Sequence, residues 1–370
     1  MPEGPLSGVQ VVEVASMAAG PFCARLLGDY GADVVKVEPP EGDPLRTLDA
    51  DWFAGLNTNK RSVVADLDTQ DGRDGVAALI ARADLLVCDL SGEDLLLLED
   101  VLDDAPAALV VVSITPFGRT GPRAGWRGGD LVAAASGGLA HITGDPDREP
   151  LVPGGRQMWH MAGLSGFSAG LVALWHARRT GEGQLVDVSL QEVAAGVLEC
   201  AVTPLQMHGR VRGRMGTHHP AVHGVGLQRL GDGHWLFVGT LPQLRMWETV
   251  RELMGDPEWA QDERWNDAGV RRAHADEIDA LAAPIFGEME TADIYPQMKA
   301  GRVPVGLVRD MTDLHDPEGQ LAARDFFTAA PDGALHPGAP WRMEASPWAL
   351  RLAAPLLDPT SQPPPTRSNT

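Results

Sequence analysis

The stretch VQVVEVASMAAGPFCARLLGDYGADVVKVE, residues 9–38, decides the fold. Its two ends, VQVVEV (9–14) and VVKVE (34–38), are short runs rich in β-branched residues, with glycine or aspartate next to them. Such runs are typical of buried parallel strands. The segment between them begins with small residues and can open a helix at Pro21. The sequence therefore predicts a strand–helix–strand unit of a parallel sheet.

The turn before that helix has the features of a ligand site. Ala18, Ala19 and Gly20 would let a ligand approach the backbone closely. A helix N-terminus directly after a strand suits a phosphate or pyrophosphate. There is no GxGxxG motif, so a nicotinamide cofactor has no direct support. A nucleotide-like ligand and a tight turn without a ligand both remain open on spacing alone.

The alternation of strand and helix continues along the chain. ADLLVCDL (83–90) and ALVVVSI (108–114) read as further buried strands, and residues 158–180 read as a long buried helix that ends before Gly181. We therefore predict an α/β fold, a Rossmann-like doubly wound parallel sheet with a smaller α+β domain. DGHWLFVG (232–239) is expected to form a turn and an edge strand, and LRMWETVREL (244–253) an amphipathic helix.

Changes in sequence character suggest the domain boundaries. Residues 208–224 are rich in Gly, Arg and His and show no periodicity, which is typical of a linker. The predicted organisation is a large Rossmann-like domain over 1–207, the linker over 208–224, and a small α+β domain over 225–320. The predicted return linker and C-terminal segment, residues 321–370, would pack on the large domain.

Composition limits the class of partner. The 370 residues have a hydrophobic content of 44% and a net charge of −21. Such a surface repels nucleic acid and anionic lipid, so neither is an expected partner. No uninterrupted apolar run approaches 18 residues and no signal peptide begins the chain, so we expect a cytoplasmic protein. His218, His219 and His223 lie in the Gly-rich linker without a fixed helical face, and no metal site is predicted.

Five ordered blocks carry a resemblance to a known family. They are AGPFCARLLGDYGADVVKVEPPEGDPLR (19–46), NTNKRSVVADL (57–67), SITPFGRTGP (113–122), GGDLVAAASGGL (128–139) and RRTGEGQLVDVSL (178–190). Together they resemble the family III CoA-transferases, the CaiB/BaiF group, which also includes α-methylacyl-CoA racemases. The resemblance continues to about residue 358. It implies a CoA thioester as substrate or ligand, no covalently bound cofactor, and a second family III chain as partner in an interlocked dimer.

The resemblance also shows where this chain departs from the family. In the transferases an aspartate attacks the acyl-CoA thioester, which divides one difficult acyl exchange into easier steps. The matching position here is Trp159, and no aspartate occurs between Asp147 and Asp187. The racemases use in addition a histidine, whose position is Gly129 here. An indole cannot form an acyl anhydride, so the usual nucleophile is missing.

Two residues could replace it. Asp130 matches an acidic family position near the thioester, and its alternative role is a helix cap or a partner for Arg127. His160 adjoins the changed position and could act as a base, but a histidine on a mostly apolar helix is commonly structural.

The family's CoA contacts, transferred by position, are also incomplete. They fall on Met17, Ala18 and Ala19 after the first strand, on Asn59, Lys60 and Arg61, and on Arg127. A basic residue that often follows the second strand is Pro39 here, and the segment SGEDLLLLED (91–100) has no base.

Three functional readings follow. The chain is the aspartate-lacking subunit of a hetero-oligomeric acyl-CoA:carboxylate CoA-transferase, our preferred prediction. Alternatively, it acts alone in acyl-CoA transfer or isomerisation with Asp130 or His160. As a third alternative, it is a non-enzymatic homodimer that binds CoA.

Overall fold

A computed structural model describes residues 4–16, 18–90, 93–102, 104–218, 225–240, 243–358, 360–361 and 363. The strands are β1 (Gln10–Val14), β2 (Asp33–Glu38), β3 (Lys60–Val64), β4 (Leu85–Cys88), β5 (Val110–Thr115), β6 (Leu185–Ser189), β7 (Leu227–Arg229), β8 (Trp235–Val238), β9 (Val305–Leu307), β10 (Phe327–Ala329) and β11 (Leu335–Pro337). The helices are α1 (Ala19–Asp29), α2 (Leu45–Leu48), α3 (Ala50–Leu56), α4 (Gln70–Ile80), α5 (Glu93–Leu102), α6 (Asp130–Ser136), α7 (Gln157–Thr180), α8 (Leu190–Gly196), α9 (Glu199–His208), α10 (Leu244–Leu253), α11 (Ala268–Ala273), α12 (Ala275–Phe286) and α13 (Thr291–Ala300).

The main sheet has the predicted doubly wound topology. Within the described residues it contains six strands in the order β3-β2-β1-β4-β5-β6, and every neighbouring pair is parallel. Strand β1 pairs with β2 on one side and β4 on the other, with Val11 opposite both Val34 and Leu85. The strand order reverses between β1 and β4, and open α/β sheets of this order bind ligands beyond the carboxyl ends of the strands at that point.

Helices cover both faces of this sheet. One core contains the inner faces of α1 and α7, and a second core on the opposite face contains α4 and α5. Helix α7 lies very close to its neighbours because small residues face them. A Cβ atom added to Gly163 would lie 2.6 Å from the Ala19 carbonyl oxygen, and one added to Gly166 would lie 2.8 Å from Ile114 Cδ1. Glycine therefore sets the spacing between α7 and the sheet.

The prediction that α7 is buried all round is only half right. One side is in the core, but Leu164, Val172 and Trp175 are 42%, 69% and 62% exposed. The apolar pattern therefore reflects one internal face and one external apolar face.

Two compact units divide the chain. One contains residues 1–141, 152–212 and 320–370, and the other contains residues 142–151 and 213–319. Part of the predicted linker, residues 219–224, lies outside the described residues. Among the described residues, no helix is both long and apolar enough to span a bilayer.

The second unit is built on an antiparallel sheet of β7, β8 and β9. The prediction of an edge strand at 232–239 is wrong, because β8 pairs with β7 on one side and with β9 on the other. Strand β9 comes from far along the chain and is too short to be predicted from its sequence pattern. Trp247, Trp265 and Phe286 fill the core beneath this sheet, and Trp247 comes from the predicted amphipathic helix, α10.

The C-terminal segment packs on the first unit. The Arg46 guanidinium donates to the Pro355 carbonyl oxygen at 2.9 Å, and Val64 N–H donates to the Ser361 carbonyl oxygen at 2.8 Å. The C-terminal segment thus belongs to the same compact unit as the main sheet.

Candidate functional site

A cavity of about 430 Å³ opens at the carboxyl edge of the main sheet. Its walls include residues 14–16 after β1, 38–41 after β2 and 65–68 after β3, with Leu90 after β4. This is the edge at which a parallel sheet of this topology binds its ligand. The cavity is therefore a candidate ligand-binding site.

The start of α1 forms the next feature. Ala18 and Ala19 are buried there, 2% and 1% exposed, while Met17 lies outside the described residues. Ser16 N–H donates to Asp89 Oδ1 at 3.0 Å, and the Asp89 side chain is nearly buried just after β4. The Asp89 carboxylate therefore lies beside the start of α1, where a Cβ atom added to Gly20 would be 3.2 Å from its Oδ2.

A buried charge network lies behind the cavity. Lys36 Nζ contacts Glu13 Oε1 at 2.9 Å and Asp43 Oδ2 at 2.8 Å, and Lys60 Nζ contacts Glu13 Oε2 at 2.7 Å. The four side chains are at most 1% exposed. Burial alone would raise the pKa of Glu13, but the two ammonium groups outweigh it and hold that pKa below its usual value. Burial lowers the pKa of Lys60 to about 8, which Glu13 only partly offsets.

This geometry bears on the predicted CoA contact of Lys60. Its ammonium group also donates to the Pro21 carbonyl oxygen at 2.9 Å and to Asn57 Oδ1 at 2.8 Å. All three of its donors are thus used inside the chain. The assignment of Lys60 to CoA remains a prediction, and the contacts described here stabilise the sheet edge.

Asn59 and Arg61, on either side of Lys60, also have partners. Asn59 Nδ2 donates to Asp29 Oδ1 at 2.6 Å, and Asn59 Oδ1 accepts from Arg351 N–H at 2.6 Å. Arg61 is exposed and forms a two-pronged ion pair with Asp33 at 2.7 Å. Asn59 therefore joins α1 to the C-terminal segment, and Arg61 is turned to the surface beside β2.

Glu38, at the end of β2, has a set of donors around it. The Arg46 guanidinium contacts both of its oxygens, at 2.7 and 2.8 Å, and the Asp43 N–H and Ser62 hydroxyl donate to it as well. Burial would raise the pKa of Glu38, but these hydrogen bonds lower it to about 2. An acidic residue at this position of a Rossmann sheet can bind a ribose, and here it binds Arg46 instead.

An indole lies at the position that the sequence analysis predicts for the family nucleophile. Trp159 lies in the first turn of α7, packs against the core and contacts Trp52 in a tilted arrangement, with 5.2 Å between ring centroids. A Cβ atom added to Gly129 would lie 2.8 Å from Trp159 Cζ2. Trp159 therefore covers Gly129, the position predicted for the racemase histidine.

Asp130 and His160 are close to this indole but have structural partners. Asp130 Oδ1 accepts from Met158 N–H at 2.7 Å and from Trp159 N–H at 3.3 Å. Asp130 thereby caps the N-terminus of α7. The sequence analysis left a helix-capping role open for Asp130. The capped helix is α7, whereas Asp130 itself is the first residue of α6. His160 Nδ1 lies 3.0 Å from the Arg156 carbonyl oxygen, and its ring packs edge-on against Phe22.

Two arginines complete the region. Arg127 is exposed and has no ion pair among the described residues. Arg156, which the sequence analysis missed, begins α7 in a left-handed conformation (φ 54°) and stacks over Trp52 at 3.7 Å while pairing with Asp49 at 2.9 Å. The only sequence signal for Arg156 is that it follows two glycines and directly precedes the long helix.

Within the described part of the chain, no cluster of three or more His, Cys, Asp or Glu side chains could hold a metal ion. His218 pairs with Asp276 at 2.8 Å, and His219 and His223 lie outside the described residues.

Comparisons with known proteins agree with the fold. The model of CoA-transferase family III matches residues 6–360. The chain is 32% identical over 374 residues to the succinate–glutarate CoA-transferase of Agrobacterium fabrum, covering 95% of this chain and 93% of the relative. It is 30% identical over 373 residues to the succinyl-CoA–L-malate CoA-transferase beta subunit of Chloroflexus aurantiacus, covering 95% and 91%.

A solved structure gives the same result. The chain matches the crystal structure of a CAIB/BAIF family protein from Brucella suis with a TM-score of 0.87 and 30% identity, over 96% of this chain and 97% of that one. The resemblance inferred from the five sequence blocks is thus confirmed: the chain belongs to CoA-transferase family III, whose members use CoA thioesters as substrates.

Proposed function

We propose that this chain is the aspartate-lacking subunit of a hetero-oligomeric acyl-CoA:carboxylate CoA-transferase. The observation that carries the proposal is the indole of Trp159, which covers Gly129 and stands where the resemblance predicts the nucleophile. The missing carboxylate is therefore replaced by packed apolar volume, which leaves little room for another group to act there.

The chemistry explains why the position matters. A transferase carboxylate attacks the thioester carbonyl and expels the CoA thiolate, which leaves a mixed anhydride. The thiolate then attacks the enzyme's carbonyl carbon and releases the donor acid, and the acceptor acid reverses the two steps. Each step needs one carboxylate oxygen that forms and breaks an acyl bond. Indole has no such atom, so the covalent steps belong to a partner chain.

The geometry argues against the stand-alone alternative. Asp130 Oδ1 already accepts two N–H groups at the start of α7, and acylation of this carboxylate would weaken that cap because it removes the negative charge. His160 has a backbone partner and a ring partner. Both side chains thus support the position of Trp159 in place of reacting themselves.

Apolar surface supports a partner chain. Leu164, Val172 and Trp175 on α7 are exposed, as are Leu205 and Met207 on α9. Exposed apolar groups of this size commonly mark protein interfaces. The similarity to a beta subunit favours a partner that is a second family III chain, in the interlocked arrangement that the sequence resemblance implies, within the cytoplasm.

Intact-protein mass spectrometry tests the proposal. The chain would be incubated with succinyl-CoA alone and after co-expression with an aspartate-bearing family III subunit, with hydroxylamine treatment as the control for an acyl–enzyme bond. We expect a stable hetero-oligomer, with a hydroxylamine-sensitive adduct on the partner chain and none on this one. An adduct on this chain alone, lost in Asp130→Asn, would establish the stand-alone reading. CoA binding by a homodimer that forms no adduct and no complex would establish the non-enzymatic reading.

A further inference from the structure

A buried cluster of charged and polar groups fastens the C-terminal segment to α1. Arg25 and Asp29 on α1 and His336 on β11 are 8%, 1% and 7% exposed. Arg25 Nε lies 3.4 Å from Asp29 Oδ2, and the Arg25 guanidinium donates to the Pro337 carbonyl oxygen at 3.1 Å. A buried cation of α1 therefore holds the residue that directly follows the buried histidine.

Asp29 provides a second attachment for the same segment. Its carboxylate accepts from Trp348 Nε1 at 2.8 Å and from Asn59 Nδ2 at 2.6 Å. The segment is thus held at Pro337 by Arg25 and at Trp348 by Asp29. Because Arg25 and Asp29 form one ion pair on α1, the two attachments depend on the charge balance of a single cluster.

The surroundings of His336 oppose its protonation. Among the described residues, Arg25 and Asp29 from α1 and Asp332 from the turn between β10 and β11 act on its charge. Its partner across the hairpin is Thr328, which is uncharged. Burial and then the positive charge of Arg25 lower the pKa of His336, and the carboxylates of Asp332 and Asp29 only partly offset this. The cluster therefore accommodates a neutral imidazole and not a second cation.

We propose that His336 is an acid-sensitive switch, whose protonation releases the C-terminal segment between Pro337 and Trp348 from α1. The imidazolium would face the Arg25 guanidinium in a region that excludes most water, where like charges repel strongly. Release separates the two cations and hydrates both, while the main sheet stays folded because only local contacts open. The switch goes beyond the proposed function and does not depend on it.

The sign of the pH dependence follows from the lowered pKa of His336. Its contribution to holding the segment is complete above its usual pKa of 6.5 and is lost as the pH falls through the lower value. Asp29 acts in the opposite sense. Burial raises the pKa of Asp29 and Arg25 only partly offsets this, so the contribution of Asp29 is greatest in acid. Release on acidification is therefore a property of His336 and is not shared by Asp29.

Limited proteolysis of the full-length chain between pH 8 and pH 5 tests the switch. Mass spectrometry maps the cleavage sites, and each rate is divided by that of an unstructured peptide at the same pH, which removes the pH dependence of the protease. We expect cleavage between residues 337 and 348 to be about three- to tenfold faster at pH 5, because the released population grows up to tenfold per pH unit below the pKa of the buried histidine. Cleavage within the main sheet should not change.

A variant and a control locate the effect. His336→Gln keeps a polar side chain that does not titrate, and it should abolish the acceleration in acid. His176→Gln, at an exposed position of α7 in the same compact unit, is the matched control and should keep the acceleration.

Nuclear magnetic resonance titration of His336 in the unmodified chain gives a measurement that does not depend on how the variant folds. We expect a pKa below 6.5. A pKa at or above 6.5, cleavage that does not change with pH, or equal acceleration in His336→Gln would overturn the inference and leave the proposed function intact.

Discussion

Replacing Gly129 with alanine tests the packing that defines the candidate site. The new methyl group would lie 2.8 Å from Cζ2 of Trp159, with Cε2 at 3.5 Å and Cη2 at 3.6 Å. Carbon atoms in contact normally stay about 3.5–4.0 Å apart, so the ring must move by roughly 1 Å. It has little freedom to do so, because the tilted ring of Trp52 packs against it and Asp130 accepts from the Trp159 backbone N–H.

The magnitude follows from two opposing effects. Overpacking of this kind costs about 1–3 kcal/mol. The backbone at Gly129, with φ −136° and ψ −155°, is extended and suits alanine. Alanine also has fewer conformations than glycine in the unfolded chain, which stabilises the folded state by about 0.4–1 kcal/mol. We therefore expect Gly129→Ala to destabilise the first unit by about 1–2 kcal/mol in the presence of Trp159.

The matched control removes the indole. In a Trp159→Ala background the methyl group meets open space, and Gly129→Ala should then be neutral or stabilising by up to about 1 kcal/mol. Urea unfolding followed by far-ultraviolet circular dichroism measures all four proteins without relying on tryptophan emission. The coupling energy should be about 1–3 kcal/mol. Equal effects of Gly129→Ala in the two backgrounds would show that the indole does not lie over Gly129.

Three further predictions concern the groups around the cavity. Glu13→Gln leaves two buried ammonium groups short of one counter-charge and should cost about 3–5 kcal/mol in urea unfolding, whereas Asp33→Asn in an exposed pair should cost less than about 1 kcal/mol. Because the pKa of Glu38 is lowered from 4.5 to about 2, its stabilising contribution is complete above pH 4.5 and lost as the pH falls through 2. Arg46→Met should make thermal stability less dependent on pH between 4.5 and 2, because Arg46 donates to both oxygens of Glu38. An unchanged dependence of thermal stability on pH in this variant would show that Arg46 does not lower the pKa of Glu38. Asn59→Ala should free the C-terminal segment and speed its cleavage in limited proteolysis, and an unaltered cleavage rate would refute its role as a clamp.

Local sequence patterns predict the main sheet where a strand is a continuous run of buried β-branched residues, but the sequence analysis predicts no strand for β3 (Lys60–Val64), whose run begins with two charged residues. The runs at 9–14 and 34–38 have the composition of buried strands, and the structure contains both as neighbouring parallel strands. Contacts between distant segments are a different matter. Strand β9 has only three residues, which is too few to show a strand periodicity. It pairs with β8, which lies about 70 residues earlier in the chain.

The same distinction applies to the site. The position of Trp159 in the chain matches it to the family aspartate. Its contact with Gly129 depends on how α7 packs, and no local motif predicts that contact. Asp89 reaches the start of α1 from 73 residues away. One signal could have been read earlier: Glu13 and Lys36 each interrupt an apolar buried strand, and a charge at such a position requires a buried partner. That rule predicts the pair of Glu13 with Lys36, whereas the contact of Lys60 with Glu13 depends on how β3 pairs with β2.

Two observations in different elements favour the proposed function. A tryptophan at the position predicted for the nucleophile is by itself compatible with a chain that still holds CoA for another group to act on. At the carboxyl edge of the main sheet, Glu41, Asp66 and Asp68 line the cavity and have no ion pair among the described residues, while Lys60 uses its three donors inside the chain. An enzyme acting alone needs both a nucleophile and a nucleotide site, since binding energy from the nucleotide supports catalysis at the thioester. A subunit whose partner supplies both needs neither, so the two observations together favour the proposed subunit function over stand-alone catalysis.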